Sequence, residues 1–372
     1  MMSATPLPLS LSSSSQPLSL QAGVDPQRPL ASTRLLAVDD DVILDEAITS
    51  LPQLLQPGDL LVLNDSATLP ASLHGVVDDA GAPVEVRLAS RALSSAPPVD
   101  LSDAFPHRWL AVVFGAGDWR DDTDVRPAPP PMPTGSTLRF GDDANALKAT
   151  VKEVSSTSSR LVELLFDRRG AALAQALYDI GHPVQYRHLP RALQLHHVQT
   201  PFAWRPWSME MPSTGRPLSW ALLDALQNTG VDHVFLTHAA GLSATGDADL
   251  DATLPFAEPY DVPDATFARV LQTRQQGGRV VAVGTTVVRA LESAAQQNRL
   301  QGVATLRLDE HHELAVVDDI LTGVHSPGES HFELLKAFAS TSTLLAAHHD
   351  AAARGYLAHE LGDLMLVRGR RL

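Results

Sequence analysis

Short apolar runs alternate with segments of helical spacing in two parts of the chain. Residues 60–63 form a continuous apolar run after a Pro57-Gly58-Asp59 turn, which favours a buried strand. Residues 45–55 have roughly helical spacing. Beyond about residue 168, the predicted strands are 231–237, 279–283 and 316–321, and the predicted helices are 171–180, 220–227, 264–276, 287–297 and 332–347. This alternation predicts an α/β fold with a doubly wound, largely parallel sheet.

Residues 70–167 have a different pattern. Short β-rich pieces are separated by turn residues at intervals typical of a small barrel or sandwich. Five prolines within residues 127–133 predict an exposed, extended loop. We therefore predict an inserted domain at 70–167 within a composite body made of 29–69 and 168–372.

The first 28 residues are expected to be a disordered leader. They are rich in Ser, Leu and Pro, and no Lys or Arg precedes Arg28, so a secretory signal is not indicated. No run of about twenty apolar residues is present, and we expect no membrane span. The chain has no cysteine, which excludes thiolate chemistry and disulfides and fits a reducing cytoplasm.

The charge distribution bears on nucleic-acid binding. A formal net charge of −15 argues against a nucleic-acid partner, because phosphate binding needs clustered Lys and Arg. Residues 151–216 nevertheless carry a local net charge of +3, and Arg368, Arg370 and Arg371 form a second basic cluster. These clusters are consistent with a solvated surface or with a local phosphate contact.

Ligands of open α/β sheets bind at the carboxyl ends of the strands, where three segments stand out: 237–241, 284–289 and 322–327. Gly284 allows a tight turn, and Thr285 and Thr286 then begin a helix whose free N–H groups favour an anion. Arg289 opposes the dipole of that helix, which hints at a negatively charged ligand. The alternative is that the threonines are ordinary caps and that Arg289 and Glu292 form a surface pair.

Two histidines directly follow predicted strands. His238 and His325 have the placement of general acids or bases, although each is also consistent with a hydrogen-bonded histidine at a sheet edge. The adjacent histidine pairs of the chain lack the spacing that places two ligands on one helix face, so we expect no metal site. The motifs of P-loop enzymes, dinucleotide enzymes and serine hydrolases are not found.

The segment RVVAVGTTVVRALES at 279–293 resembles the signature of the S-adenosylmethionine:tRNA ribosyltransferase-isomerase family of queuosine synthesis. Further resemblances fall in the family's order along the chain. They lie at 56–75, 180–182, 212–215, 324–327 and 362–365. The resemblance implies a composite α/β body with an inserted small β-barrel, in agreement with the pattern above.

The resemblance also implies an activity. Members of the family transfer and isomerise the ribosyl part of S-adenosylmethionine onto the 7-aminomethyl-7-deazaguanine base of tRNA, giving epoxyqueuosine and releasing adenine and methionine. S-adenosylmethionine is the substrate, and no further cofactor is implied. By resemblance, the catalytic residues would be His238, His325 and Arg289. The substrate-binding residues would be Gly284, Thr285, Thr286, Glu258 and Gly215.

The sequence departs from the family's motifs near these positions. The arginine after the N-x-[ST] motif is replaced by Ala67, and the histidine two residues before Glu258 is replaced by Phe256. In the loop after Gly215, Leu-His-Phe is replaced by Arg216-Pro217-Leu218. The alternatives are a divergent paralogue that has lost catalysis or uses another nucleoside-like acceptor, or a non-catalytic module that binds tRNA or protein.

Overall fold

The computed structural model describes residues 19–40, 42–78, 80–91, 105–142 and 146–369. Within these residues, the body contains a mixed sheet of nine strands. In order across the sheet, the strands are Gln301–Ala304, Glu258–Asp261, Asp232–His238, Leu60–Asn64, Val280–Val283, Asp319–Gly323, Leu364–Arg368, Arg34–Asp39 and Val42–Ala47. The four strands from Asp232–His238 to Asp319–Gly323 are parallel, and antiparallel pairs join them to both flanks.

Helices cover both faces of this sheet. Alternate side chains of the central strand Leu60–Asn64 enter different cores, because successive residues of a strand point to opposite faces. Leu60 and Val62 pack with the helices on one face, and Leu61 and Leu63 pack with those on the other. The described helices are Leu51–Leu54, Gly170–Ile180, Trp220–Asn228, Ala248–Asp251, Asp264–Gln275, Thr285–Gln297, Ser330–Leu335 and Thr341–Ala353. The predicted doubly wound α/β class is confirmed.

A closed six-stranded barrel forms the second unit of the described chain. Around the barrel, its strands are Leu147–Val154, Leu161–Phe166, Arg108–Phe114, Ala82–Arg91, Ser72–Val77 and Thr137–Phe140. Trp109, Phe114 and Phe140 fill its interior and are fully buried. The expectation of an inserted small barrel is confirmed, whereas the exact domain limits stay a prediction.

The barrel is inserted at the carboxyl end of the central strand. The chain leaves Leu60–Asn64 through the short strand Ser66–Thr68, which pairs with Arg205–Ser208, and returns through the helix Gly170–Ile180. The buried residues Leu173 and Leu177 of that helix pack on the barrel core. The barrel therefore lies next to the edge of the sheet where ligands of α/β folds bind.

Two predicted helices are wrong in part. Residues 42–47 form a strand that pairs antiparallel with Arg34–Asp39, and the α-helix begins only at Leu51. This tertiary pairing overrides the helical spacing of 45–55. The predicted helix 332–347 is two helices, because Ser340 caps the second one by accepting a hydrogen bond from the N–H of Thr343.

Part of the predicted leader lies within the described residues. Gln21–Ala22 pairs with Leu357–Ala358, and Arg28 forms an ion pair with Asp363 at 2.6 Å. Residues 1–18 lie outside the described part of the chain. Among the described helices, none is both long and apolar enough to cross a membrane.

Candidate active site

Asn64 connects the ends of three neighbouring strands. It is the last residue of the central strand, and its Nδ2 donates to the carbonyl oxygen of His238 at 2.9 Å and to Thr286 Oγ1 at 3.4 Å. Its Oδ1 accepts from the N–H groups of His238 at 3.0 Å and Ser66 at 3.1 Å. The loops after the strands ending at Asn64, His238 and Val283 therefore lie together at one edge of the sheet.

Gly284 makes the turn from strand to helix. Its φ of +90° is a conformation that side-chain-bearing residues rarely adopt, and the helix Thr285–Gln297 begins at the next residue. Thr285 is buried and Thr286 is half-buried. A Cβ at Gly284 would lie 3.5 Å from Thr214 Oγ1. The helix start therefore has two threonine hydroxyls beside it, as well as first-turn N–H groups that the helix itself does not use.

Gly215 has a packing role in the structure. It ends the short turn Ser213–Gly215, and a Cβ there would lie 2.9 Å from Phe202 Cζ. The absence of a side chain lets this turn pack on the aromatic ring and holds Thr214 near Gly284. Gly215 is thus close to the helix start without offering a side chain to a ligand.

Arg289 is part of a buried ion pair. Its Nη1 donates to Glu258 Oε2, and its other nitrogens donate to the carbonyl oxygens of Leu306 at 3.1 Å and Ala304 at 3.0 Å. Both charged side chains are buried. The carboxylate that Arg289 holds in this structure therefore belongs to the protein.

The alternative of a surface pair between Arg289 and Glu292 is wrong. Glu292 is buried, and its carboxylate accepts hydrogen bonds from the N–H groups of Ala315, Val316 and Val317 at 2.7–3.0 Å. These three N–H donors satisfy the buried carboxylate, and His312 Nε2 lies 3.6 Å from it. Glu292 consequently fixes the segment before strand Asp319–Gly323.

His238 is a neutral histidine in the interior. Its side chain has no exposed surface, and neither ring nitrogen has a hydrogen-bond partner among the described residues. Nε2 lies 3.5 Å from Glu258 Oε2. Burial lowers the pKa of His238 well below its ordinary value, and the nearby positive charge of Arg289 lowers it further. The structure thus brings together His238, Glu258 and Arg289 beneath the edge of the sheet.

His325 belongs to a separate, more accessible group. Its Nε2 lies 2.9 Å from Thr322 Oγ1, and its Nδ1 lies 3.6 Å from Glu329 Oε2. Its ring stacks on His331 with the ring centroids 4.8 Å apart. Burial lowers the pKa of His331 to about 3, assisted by the charge of His325. His325 therefore stacks on an uncharged ring and keeps 20% of its side-chain surface exposed.

The sequence interpretation missed polar residues at the same edge. Asp65 follows Asn64 and accepts a hydrogen bond from Thr237 Oγ1 at 2.5 Å, and burial raises the pKa of its carboxyl. Asn64 and Asp65 come directly after the apolar run 60–63. The same reasoning, that ligands bind at the carboxyl ends of parallel strands, therefore also points to Asn64 and Asp65.

A second missed group lies between the body and the barrel. The hydroxyl of Tyr186 donates to Glu210 Oε1, which also accepts from the N–H of Ser243 at 3.0 Å. The barrel residue Arg87 places its guanidinium 5.3 Å from the centre of the Tyr186 ring. The one sequence signal for Glu210 is an acidic residue between two methionines, Met209 and Met211.

One group of three side chains has the composition of a metal site. The ligand atoms of His188, His359 and Glu360 lie within 4.8 Å of one another. In the structure these groups bind each other instead: His188 Nε2 lies 3.0 Å from Glu360 Oε2, and the two imidazole rings stack at 4.4 Å. The expectation of no metal site stays a prediction.

Comparison with known proteins identifies the family. The model of the family described as queuosine biosynthesis protein matches residues 17–367, nearly the whole chain. The chain belongs to this family. The resemblance recognised from the sequence is confirmed. The family assignment applies to the body and the barrel together, because the match includes both.

Relatives of the queuosine biosynthesis family match more than nine tenths of the chain. A Thermosynechococcus vestitus protein named S-adenosylmethionine:tRNA ribosyltransferase-isomerase is 33% identical over 352 residues, covering 92% of this chain and 91% of its own. A protein of the same name from Anaeromyxobacter dehalogenans is 33% identical over 360 residues, covering 94% and 95%. A crystal structure of S-adenosylmethionine tRNA ribosyltransferase from Thermotoga maritima is 23% identical, covers 95% of this chain and 98% of its own, and has a TM-score of 0.49.

Proposed function

We propose that this protein is an S-adenosylmethionine-dependent tRNA ribosyltransferase-isomerase of the cytoplasm. It moves the ribosyl part of S-adenosylmethionine onto the 7-aminomethyl-7-deazaguanine base of tRNA, forms epoxyqueuosine, and releases adenine and methionine. The observation that carries the proposal is the match to relatives of that name over more than nine tenths of both chains. The barrel and the body that the reaction would use are both included in that match.

S-adenosylmethionine binds, in this proposal, at the start of the helix Thr285–Gln297. The methionine carboxylate is an anion, and a helix start offers free N–H groups and a favourable dipole. The hydroxyls of Thr286 and Thr214 lie beside that point. Asn64 holds the strand ends in register around it.

The predicted catalytic residues separate into two roles. Arg289 is buried and donates a hydrogen bond to Glu258, which was predicted to bind substrate, and the buried His238 lies beside this pair, so the three residues lie beneath the site and position its loops. His325 is partly exposed at the neighbouring strand end and is the histidine that can act as an acid or base on a bound ligand. The sulfonium of S-adenosylmethionine acidifies the adjacent C5′ protons, so the reaction needs a positioned base but no further cofactor.

The activity is tested by adenine release. The protein is incubated with S-adenosylmethionine and tRNA that carries the aminomethyl base, and adenine and modified tRNA are quantified by chromatography. We expect equal amounts of both products and none with tRNA that carries guanine at the same position. Adenine release without any tRNA would indicate another acceptor. Tight tRNA binding without turnover under all conditions would contradict the proposed enzyme.

The Thr286→Val variant tests the substrate site. It removes one hydroxyl with little change in volume, and loss of a hydrogen bond to a charged ligand costs about 1.5–3 kcal/mol, so KM for S-adenosylmethionine should rise at least tenfold. Thr341→Val is the matched control, because Thr341 is also a half-buried first-turn residue of a helix. An unchanged KM in Thr286→Val would place the substrate elsewhere.

A further inference from the structure

Glu210 lies where the barrel meets the ligand-binding edge of the body. It follows the strand Arg205–Ser208, and the N–H of the preceding Met209 donates to Ala240 O at 2.7 Å. Ala240 is two residues beyond His238, in the loop after that strand. Glu210 is half-buried, and its neighbour Ser243 is exposed.

One oxygen of this carboxylate is fixed and the other is free. Oε1 accepts hydrogen bonds from the Tyr186 hydroxyl and from the N–H of Ser243, and Ser243 Oγ in turn donates to the Tyr186 hydroxyl at 3.2 Å. Oε2 receives no hydrogen bond from any residue that the structure describes. The two donors therefore hold the carboxylate in one orientation and leave Oε2 available to a ligand.

The charges around Glu210 favour a cationic ligand. Loss of hydration raises the pKa of its carboxyl to about 7, and the nearby Glu360 carboxylate adds to this effect. On the barrel side, Arg87 Nε donates to Glu85 at 2.7 Å, and Arg87 Nη1 has no hydrogen-bond partner among the described residues. A positive ligand group beside Glu210 would be stabilised by its carboxylate and by that of Glu360, whose Oε2 lies 3.0 Å from His188 Nε2.

We propose that Glu210 binds the primary ammonium group of the acceptor base through Oε2 and removes one of its protons. The N–H bond breaks, its electron pair stays on nitrogen, and an O–H bond forms on Oε2. The nitrogen then has the lone pair that it needs to attack carbon. This inference rests on the proposed function, because the acceptor in that reaction carries an aminomethyl group.

The Glu210→Gln variant separates proton transfer from structure. Glutamine keeps the size of the side chain and an oxygen that accepts from Tyr186 and Ser243, but it cannot accept a proton. At pH 7 we expect kcat/KM for the aminomethyl tRNA to fall about 10²–10⁴-fold. The rate should recover about tenfold per pH unit as pH rises toward the pKa of the amine, since free amine then needs no base. A merely structural role would not produce this recovery.

A binding measurement tests the same residue without turnover. The wild-type protein should bind tRNA with the aminomethyl base more tightly than tRNA with guanine, and Glu210→Gln should lose that preference. Glu333→Gln is the matched control, because Glu333 lies on the separate helix Ser330–Leu335 and pairs with Lys336. Both of its readouts should equal those of the wild type.

The outcomes distinguish this inference from the proposed function. A wild-type rate, pH profile and tRNA preference in Glu210→Gln would overturn the role of Glu210 and leave the ribosyl transfer standing. A wild-type protein that releases no adenine with aminomethyl tRNA would overturn the proposed function. In that case the loss of tRNA preference in Glu210→Gln would still support recognition of the ammonium group by Glu210.

Discussion

Removal of the Arg289 side chain should destabilise the body strongly. In Arg289→Ala, the carboxylate of Glu258 remains buried and loses its cation, and the carbonyl oxygens of Leu306 and Ala304 lose their donor. Breaking a buried ion pair from one side costs about 3–5 kcal/mol. Total stabilities of domains are about 5–15 kcal/mol, so this loss is a large share. We expect the melting temperature to fall by about 10 °C.

Thermal and urea denaturation measure this effect, with tryptophan fluorescence and circular dichroism as separate probes because two units need not unfold together. Arg354→Ala is the control: Arg354 pairs with Asp350 on a helix surface, where loss of the pair should cost less than about 1 kcal/mol. The double variant Arg289→Met with Glu258→Leu should recover at least half of the loss, since it leaves no unpaired buried charge. An Arg289→Ala protein within about 1 kcal/mol of the wild type would refute the reasoning.

This expectation changes how activity data on Arg289 are interpreted. Loss of adenine release in Arg289→Ala would follow from altered packing beneath the sheet edge as readily as from lost contact with substrate. The Thr286→Val and Glu210→Gln variants avoid this ambiguity, because both side chains are half-buried and neither leaves a buried charge unpaired.

Two further predictions concern stability at particular backbone and charge positions. Burial opposes ionisation of Glu85, but Arg87 and Arg126 together lower the pKa of its carboxyl to about 2. Ionised Glu85 therefore contributes its full stabilisation of the fold above pH 4.5, and this contribution is lost as the pH falls toward 2. In urea titrations over this pH range, the free energy of unfolding of the wild type should fall by about 3 kcal/mol through this group, and Glu85→Gln should lack that part of the fall. Gly284 and Gly135 have φ of +90° and +96°, so alanine at either position should lower the free energy of unfolding by about 1–3 kcal/mol. Only Gly284→Ala should weaken the binding of S-adenosylmethionine measured by calorimetry. Equal binding by the two glycine variants would contradict a ligand at the helix start.

The sequence predicted the parts of the fold that depend on local periodicity. The strand Val280–Val283 and the helix after Gly284 follow from an apolar run, a glycine and helical spacing. The predicted helix at 45–55 was wrong in part because its first residues pair with Arg34–Asp39, and that strand in turn pairs with Leu364–Arg368, far along the chain. Short amphipathic stretches have no local feature that reveals such a distant partner.

The candidate site was predictable in position but not in its ion pairs. The carboxyl-end rule located the loops at His238, Gly284 and His325. The partner of Arg289 is Glu258, which precedes it by 31 positions and begins the strand Glu258–Asp261, so helical spacing pointed to Glu292 instead. Tyr186 and Glu210 are in contact because of the tertiary packing between the barrel and the body. The spacing of the two residues in the sequence does not predict this contact.

The pairing of Arg34–Asp39 with Leu364–Arg368 determines when the nine-stranded sheet can finish folding during synthesis. The strand Arg34–Asp39 has Leu364–Arg368 as its neighbour towards the sheet centre, about 330 residues later in synthesis. The barrel, by contrast, closes within one continuous segment from Ser72 to Phe166. On the ribosome, the barrel can therefore fold early. The hairpin of Arg34–Asp39 and Val42–Ala47 keeps an unpaired strand edge until Leu364–Arg368 has been synthesised. Truncation of only the last strand should leave a folded barrel attached to an aggregation-prone body.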